Sequence, residues 1–321
     1  MRRIWKRGTE LTDKAFPRWL PFVVLGIGLT AISFGAILAR TAQGASIPSL
    51  SIAAWRLGLA ALLVTPFALW FLISRKTAAR AAGQDLSAPY SHRQLGLGLA
   101  AGLCLALHFG TWISSLEYTS VASSTALVTT NPLWIGLASF VLFRETPGRA
   151  MLAGIALSLA GSFLIFLSDS QHVASGSNSL LGNALALVGS WCFSAYLIIG
   201  RRLRAGLTLT LYIWLAYGMA AIFLFAAAGT SGAPLSGYSI AGWASLIGLA
   251  IGPQLIGHTS YNWSLKHVSA TFVAVVTLGE PIGSALMAFA FFGETLAPLQ
   301  AVGFALLLCG IYLAAQAEKP N

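Results

Sequence analysis

Apolar runs of about 20 residues or more, the length a helix needs to cross a ~30 Å hydrocarbon core, recur through this chain and restrict its fold more than any other feature. In lipid every backbone N–H and C=O must be satisfied within the protein, so such runs fold as helices. Of the 321 residues 57% are hydrophobic and only 9% are charged, against about a quarter charged in a soluble domain. A polytopic, all-α integral membrane protein is expected. Ten spans are read, at roughly 20–40, 49–74, 95–116, 120–143, 149–168, 180–200, 208–229, 239–264, 268–293 and 297–316. The separators are short; the longest, 75–94, contains Gly83, Pro89 and four basic residues.

The net charge of +10 does not indicate a nucleic-acid partner, because Lys and Arg lie in separators between apolar runs and not along one polar face. With the N-terminus in the cytoplasm, 17 of the 19 basic residues fall on the cytoplasmic side, leaving Arg40 outside and Arg56 within a span. Both termini are therefore expected in the cytoplasm, with the chain in a cell inner membrane. The basic start, apolar run and "TAQGAS" also fit a signal peptide, but the run is about 20 residues long and its pattern recurs, so it is read as the first span. Cys104, Cys192 and Cys309 are solitary in apolar segments and read as packing residues. No cofactor is expected.

Shifting the sequence by 149 lays residues 108–165 on 257–314 without gaps, with 15 identities in 58 positions. Pro132/Pro281, Glu145/Glu294, Gly154/Gly303 and Gly161/Gly310 are among them. A shift of 159 aligns the earlier part more weakly, through Phe34/Phe193 and Trp55/Trp214. The expected organisation is a basic segment 1–19 and two five-helix repeats, 20–168 and 180–317. Five is odd, so the repeats enter the membrane from opposite sides. Charge agrees: "FRETPGR" carries Arg144 and Arg149, whereas its counterpart "FGETLAP" carries no base. Inverted repeats of this kind characterise secondary transporters, with a site near the midplane where the halves meet.

"TTNPLWIGLASFVLFRET" and "TLGEPIGSALMAFAFFGET" each combine an apolar helix, an internal proline and a Glu at the following turn, and each precedes a glycine-spaced last helix. With "AAWRLGLAALLV" in the second span, the chain resembles the ten-span, EamA-type branch of the drug/metabolite transporter superfamily over about 20–317. The resemblance implies export of amino acids, drugs or other metabolites without selecting among them.

Glu280 lies about twelve residues from either end of the ninth span. A carboxylate at that depth costs roughly 2.5–3.5 kcal/mol on insertion scales. Pro281 removes a helix donor and frees a carbonyl, and Asn131-Pro132 repeats the break in the fourth span. Polar stripes continue the pattern: Thr277, Glu280 and Ser284; Gln254, His258, Tyr261 and Asn262 after Gly252-Pro253; His108, Trp112 and Ser115; Thr30 and Ser33; Ser190, Trp191 and Ser194. Each stripe alone is equally well explained as helix packing; their occurrence in spans 1, 3, 4, 6, 8 and 9 suggests one lined cavity. Spans 5 and 10 lack stripes and read as peripheral. The candidate substrate-binding set is Ser33, Arg56, His108, Trp112, Asn131, Trp191, Gln254, His258, Tyr261, Asn262, Glu280 and Ser284. Arg56 either snorkels, bonds carbonyls or attracts an anionic substrate group; the structural reading is preferred. Glu145 and Glu294 read as helix-start residues.

The reading is a secondary transporter, an exporter of small metabolites by alternating access, with proton coupling through Glu280 open. An uncoupled facilitator or a channel is the alternative. No G-x-x-x-x-G-K-[ST], H-E-x-x-H or G-x-S-x-G motif is present, so neither ATP drive nor an intramembrane enzyme is favoured. The expected partners are a small-molecule substrate and membrane lipids; oligomeric state is not legible.

Overall fold

A computed structural model describes residues 17–83, 88–119, 121–143, 147–170, 178–292 and 298–317. Among these residues every regular element is a helix. In chain order they are α1 (Leu20–Ser33), α2 (Gly35–Gly44), α3 (Ser49–Ala81), α4 (His92–Ser115), α5 (Val121–Val128), α6 (Asn131–Phe143), α7 (Arg149–Ser170) and α8 (Ser179–Arg204). The remainder are α9 (Leu209–Thr230), α10 (Ile240–Leu249), a π-helical stretch (Ala250–His258), α11 (Thr259–Ser264), α12 (Ala270–Thr277), α13 (Glu280–Phe292) and α14 (Pro298–Ala317).

Among the described residues, seven segments are long and apolar enough to cross a membrane: Leu20–Gly44, Ser49–Ala81, His92–Ser115, Ser179–Arg204, Leu209–Thr230, Ile240–Ser264 and Ala270–Phe291. Arg149–Leu164 and Ala301–Ala317 are shorter apolar helices. The molecule is a multi-pass membrane protein, and its surface has the corresponding polarity. Phe67, Trp70, Ile222 and Ile240 face outward, while Arg56, Gln254, Asn262 and Glu280 are buried. Lipid accepts the first group and repels the second.

Short polar residues start several of the helices. Ser91 accepts from Gln94 N–H while the Gln94 side chain accepts from Ser91 N–H, closing a capping box before α4. Thr208, Ser239 and Ser269 cap α9, α10 and α12 in the simpler way. The turn around Glu145 and that around Glu294 lie outside the described residues.

Two interruptions organise the interior. The chain leaves helical geometry at Thr129–Thr130, before Asn131-Pro132, and again at Leu278–Gly279, before Glu280-Pro281. A proline ring clashes with the carbonyl four residues back and offers no N–H, so each helix stops just ahead of it. Two backbone bonds of each break correspond at the 149-residue offset. Thr130 N–H donates to Leu127 O as Gly279 N–H does to Val276 O, and Leu133 N–H to Thr130 O as Ile282 N–H does to Gly279 O. Two further irregularities were not expected from the sequence: Phe34 divides the first apolar run into α1 and α2, and Ala250–His258 is underwound into a π-helix around Pro253. A π-helical turn widens the backbone and re-aims its side chains.

Helices α7 and α14 pack chiefly along each other. A Cβ on Gly154 would lie 2.7 Å from Gly310 O, and one on Gly161 would lie 2.5 Å from Gly303 O. Only glycine permits that approach. On the other side of the bundle α4 lies against α8 and α9, and α3 against α9.

Candidate functional site

A cavity sits where the two breaks meet α1, α3, α4, α8 and the π-helical segment. It is lined by Ile32, Arg56, His108, Phe109, Trp112, Val128, Thr129, Asn131, Phe193, His258, Tyr261, Thr277 and Glu280. The space open to a water's centre is only about 20 Å³, room for one or two waters. Any larger occupant requires the walls to separate.

Arg56 projects from α3 and is 1% exposed. Its Nε donates to Gln254 Oε1 at 2.9 Å, and its guanidinium lies 4.0 Å from the centroid of Phe109 and 5.8 Å from that of Trp112. An aromatic face offers a buried cation weak attraction but no hydrogen-bond acceptor, and Nη1 has no protein partner. Glu280, 7% exposed, begins α13 on the opposite wall and interacts electrostatically with Arg56. It sits at a helix N-terminus, where the dipole favours a carboxylate. A base and an acid thus line one chamber.

The two breaks touch. Asn131 and Thr277 hydrogen-bond across them at 3.1 Å. With the Asn131 amide turned so that both ends are satisfied, its NH2 donates to Thr129 O at 2.7 Å and Val128 O at 3.2 Å, and its oxygen accepts from Thr277. The side chain before Pro132 thereby caps carbonyls that the proline frees. Aromatic rings close the chamber: His108 stacks on Phe193 at 4.7 Å, and His258 meets Phe109 edge-on at 5.1 Å. His108 Nδ1–H donates to Gly189 O at 2.9 Å, which fixes its tautomer. By contrast His258 Nδ1, Tyr261 OH and Trp112 Nε1 are buried without a protein partner. Leaving such atoms unpaired costs about 1–3 kcal/mol each, and they converge on one chamber.

Of the residues anticipated from sequence, Arg56, His108, Trp112, Asn131, His258, Tyr261 and Glu280 line the chamber. Gln254 stands behind Arg56 as its acceptor. Asn262 accepts from Tyr196 OH at 2.9 Å and donates to Tyr217 OH at 3.0 Å, a polar network beside the chamber. Ser33 and Ser284 hold α1 against α13, where Ser284 Oγ donates to Ser33 O at 3.3 Å. Trp191 is not brought to the chamber: it is half exposed and packs edge-on against Trp134 on the outer surface. Of the two structural readings of Arg56, it does not snorkel: it points inward and bonds the Gln254 side-chain carbonyl. Phe109, Phe193, Ile32 and Val128 line the chamber but carried no polar signal in the sequence.

A model of the EamA-like transporter family matches residues 15–167 and 180–316, nearly the whole chain. The chain belongs to the EamA-like transporter family. Its match in two segments falls on the two halves of the internal repeat. The chain is similar to an uncharacterized transporter of Bacillus subtilis (strain 168), YyaM, with 24% identity over 86% of this chain and 87% of the relative. It is similar also to the threonine/homoserine exporter RhtA of Salmonella typhimurium (strain LT2), with 28% identity over 94% of this chain and 92% of the relative. A solved crystal structure, described only as that of a protein, shares the fold with a TM-score of 0.71 at 19% identity, over 94% of this chain and 98% of that one.

Proposed function

We propose that this EamA-like transporter is a proton-coupled exporter of a small zwitterionic metabolite, working by alternating access through ten spans arranged as two inverted five-helix repeats. The observation that carries the reading is that Arg56 and Glu280 line one chamber in which Arg56 Nη1, His258 Nδ1, Tyr261 OH and Trp112 Nε1 lack protein partners. An α-amino acid presents a carboxylate to the first charge and an ammonium to the second. Neither a simple cation nor a neutral solute uses both. The name of the Salmonella exporter supports the same class.

Coupling follows from the acid. Glu280 carries a proton in one phase of the cycle and releases it when the ammonium group takes its place. One site then holds either a proton or a substrate cation, which is the exclusion an antiporter needs. The matched breaks at Thr129–Thr130 and Leu278–Gly279 supply related hinges in each repeat, which rock to open the closed chamber to one side or the other.

The test uses protein in proteoliposomes with labelled threonine, homoserine, a cationic drug and an uncharged sugar. Saturable, pH-gradient-driven accumulation and counterflow of an amino acid are expected. Glu280→Gln retains counterflow and loses the response to the gradient, whereas Glu280→Asp is partly active. A Glu280→Gln protein with wild-type pH dependence refutes the coupling. Flux without saturation or counterflow refutes the carrier.

A further inference from the structure

The internal repeat pairs the lining of the central chamber. At the 149-residue shift Phe109 falls on His258, Trp112 on Tyr261, Val128 on Thr277 and Asn131 on Glu280, and both members of every pair line the cavity. The fold thus brings equivalent positions of the two halves to one space, but their chemistry differs, and always in the same direction. Where the first half supplies a phenyl ring, an indole and an isopropyl group, the second supplies an imidazole, a phenol and a hydroxyl. The second-half wall therefore offers hydrogen bonds where the first-half wall is largely apolar.

On that wall Thr277 is engaged by Asn131, which leaves His258 and Tyr261 beside the acid. Both are buried, three residues apart in sequence, with ring centroids 6.0 Å apart, and His258 Nδ1 and Tyr261 OH have no protein partner. We infer that His258 and Tyr261 form a side-chain subsite that selects zwitterionic substrates carrying a hydroxyl over their apolar counterparts. The inference rests on the zwitterion reading above: with the carboxylate at Arg56 and the ammonium at Glu280, the substrate side chain is the part that remains to face this pair. A hydroxyl donates and accepts at once, as the tyrosine hydroxyl does, and a neutral imidazole nitrogen does one or the other. One hydroxyl between them satisfies both, whereas a methyl in its place strands both when the chamber closes, the circumstance in which a site discriminates most strongly against an analogue lacking the hydroxyl. Arg56 and Glu280 supply the charge of the lining among the described residues, so an acidic or basic substrate side chain finds no counter-charge left.

Isothermal titration of the purified full chain in detergent with serine and alanine, threonine and valine, and tyrosine and phenylalanine tests it, since the members of each pair differ by a hydroxyl. In the pair whose size fits, the hydroxyl form is expected to bind at least about tenfold more tightly, the weight of one buried hydrogen bond. Tyr261→Phe removes most of that preference by weakening the hydroxyl form alone, and it keeps the unfolding temperature of the ligand-free protein, because the group it deletes has no protein partner. His258→Phe, which installs the residue of the first half, also removes the preference; either variant suffices if the other fails to fold. Equal binding within every pair that binds overturns the inference and leaves the zwitterion reading standing. A hydroxyl preference that survives in a folded variant overturns it as well, as does a Tyr261→Phe protein that is less stable and binds both members of the pair equally weakly. Binding of none of the six removes the zwitterion reading and this inference with it.

Discussion

Glu280 and Arg56 make each other tolerable. Each is buried, and a buried charge deprived of its partner is typically destabilising by about 3–5 kcal/mol. Arg56→Met should therefore lower the unfolding temperature in detergent, and adding Glu280→Gln should restore part of the loss. A coupling of about 0.5–3 kcal/mol is expected from the four-protein cycle; strictly additive changes would show that the two charges do not act as a pair. Outside the spans, Tyr90 OH donates to Leu211 O at 3.0 Å, and burial pushes its pKa up to about 12. Folding then favours the neutral phenol, so its contribution is constant below about pH 10 and is lost as pH rises towards 12. Tyr90→Phe should be less stable by about 1 kcal/mol at neutral pH and should show a smaller loss between pH 10 and 12. At this scale the sequence was legible where polarity is costly. Glu280, Asn131 and the histidines stood out because lipid makes them expensive, whereas Phe109 and Phe193 are indistinguishable by type from the lipid-facing Phe67. Trp191 was misplaced for a geometric reason: Ser190 and Ser194 share a face, and the next residue after Ser190 is turned by about 100°.

The breaks in the fourth and ninth apolar segments were readable because proline marks them, and the 149-residue repeat paired them. The interruption at Phe34 carries no proline, and the π-helical turn around Pro253 depends on packing that no local pattern encodes. Helices α7 and α14 show what the repeated glycines do. Gly154 meets Gly310 and Gly161 meets Gly303, so the 149-residue shift exchanges one contact for the other, as a pseudo-twofold relation requires. Ser158, whose counterpart is Leu307, bonds Leu307 O at 3.4 Å and lies near that axis. A side chain on Gly161 has no space, with Gly303 O and Leu307 N both within 2.8 Å of an ideal Cβ. Gly161→Val should lower stability by about 1–3 kcal/mol, the usual range for overpacking, and Gly303→Val by a similar amount. Gly96, with open space around it, is the control: Gly96→Val should leave the unfolding temperature within a degree or two of wild type, because little is displaced there. Equal sensitivity at Gly96 and Gly161 would remove the close-contact argument.

For the whole molecule, the decisive quantity is the number of crossings between fixed points, because the inverted-repeat mechanism depends on an odd number in each half. The interrupted α5–α6 segment and α7 are the critical ones: neither is among the seven segments of the described residues long and apolar enough by themselves. Ala82 and Ala205 bracket α4, α5–α6, α7 and α8. If α5–α6 and α7 both cross, four crossings separate them and both lie on one side; if only one of the two crosses, three crossings put them on opposite sides. Ser231 is separated from Ala205 by α9 alone and reports the other side in either case. All three positions are exposed, so single cysteines there, with Cys104, Cys192 and Cys309 replaced, can be reached by a membrane-impermeant maleimide. Ala82→Cys and Ala205→Cys should label only from the cytoplasm, as the concentration of Arg75, Lys76, Arg80, Arg201, Arg202 and Arg204 beside them requires. Ser231→Cys should label only from outside. Labelling of Ala82→Cys and Ala205→Cys from opposite faces would leave the first half with an even number of crossings. The two breaks could not then be related by inversion, and the rocking-repeat mechanism would fail even with the central chamber intact.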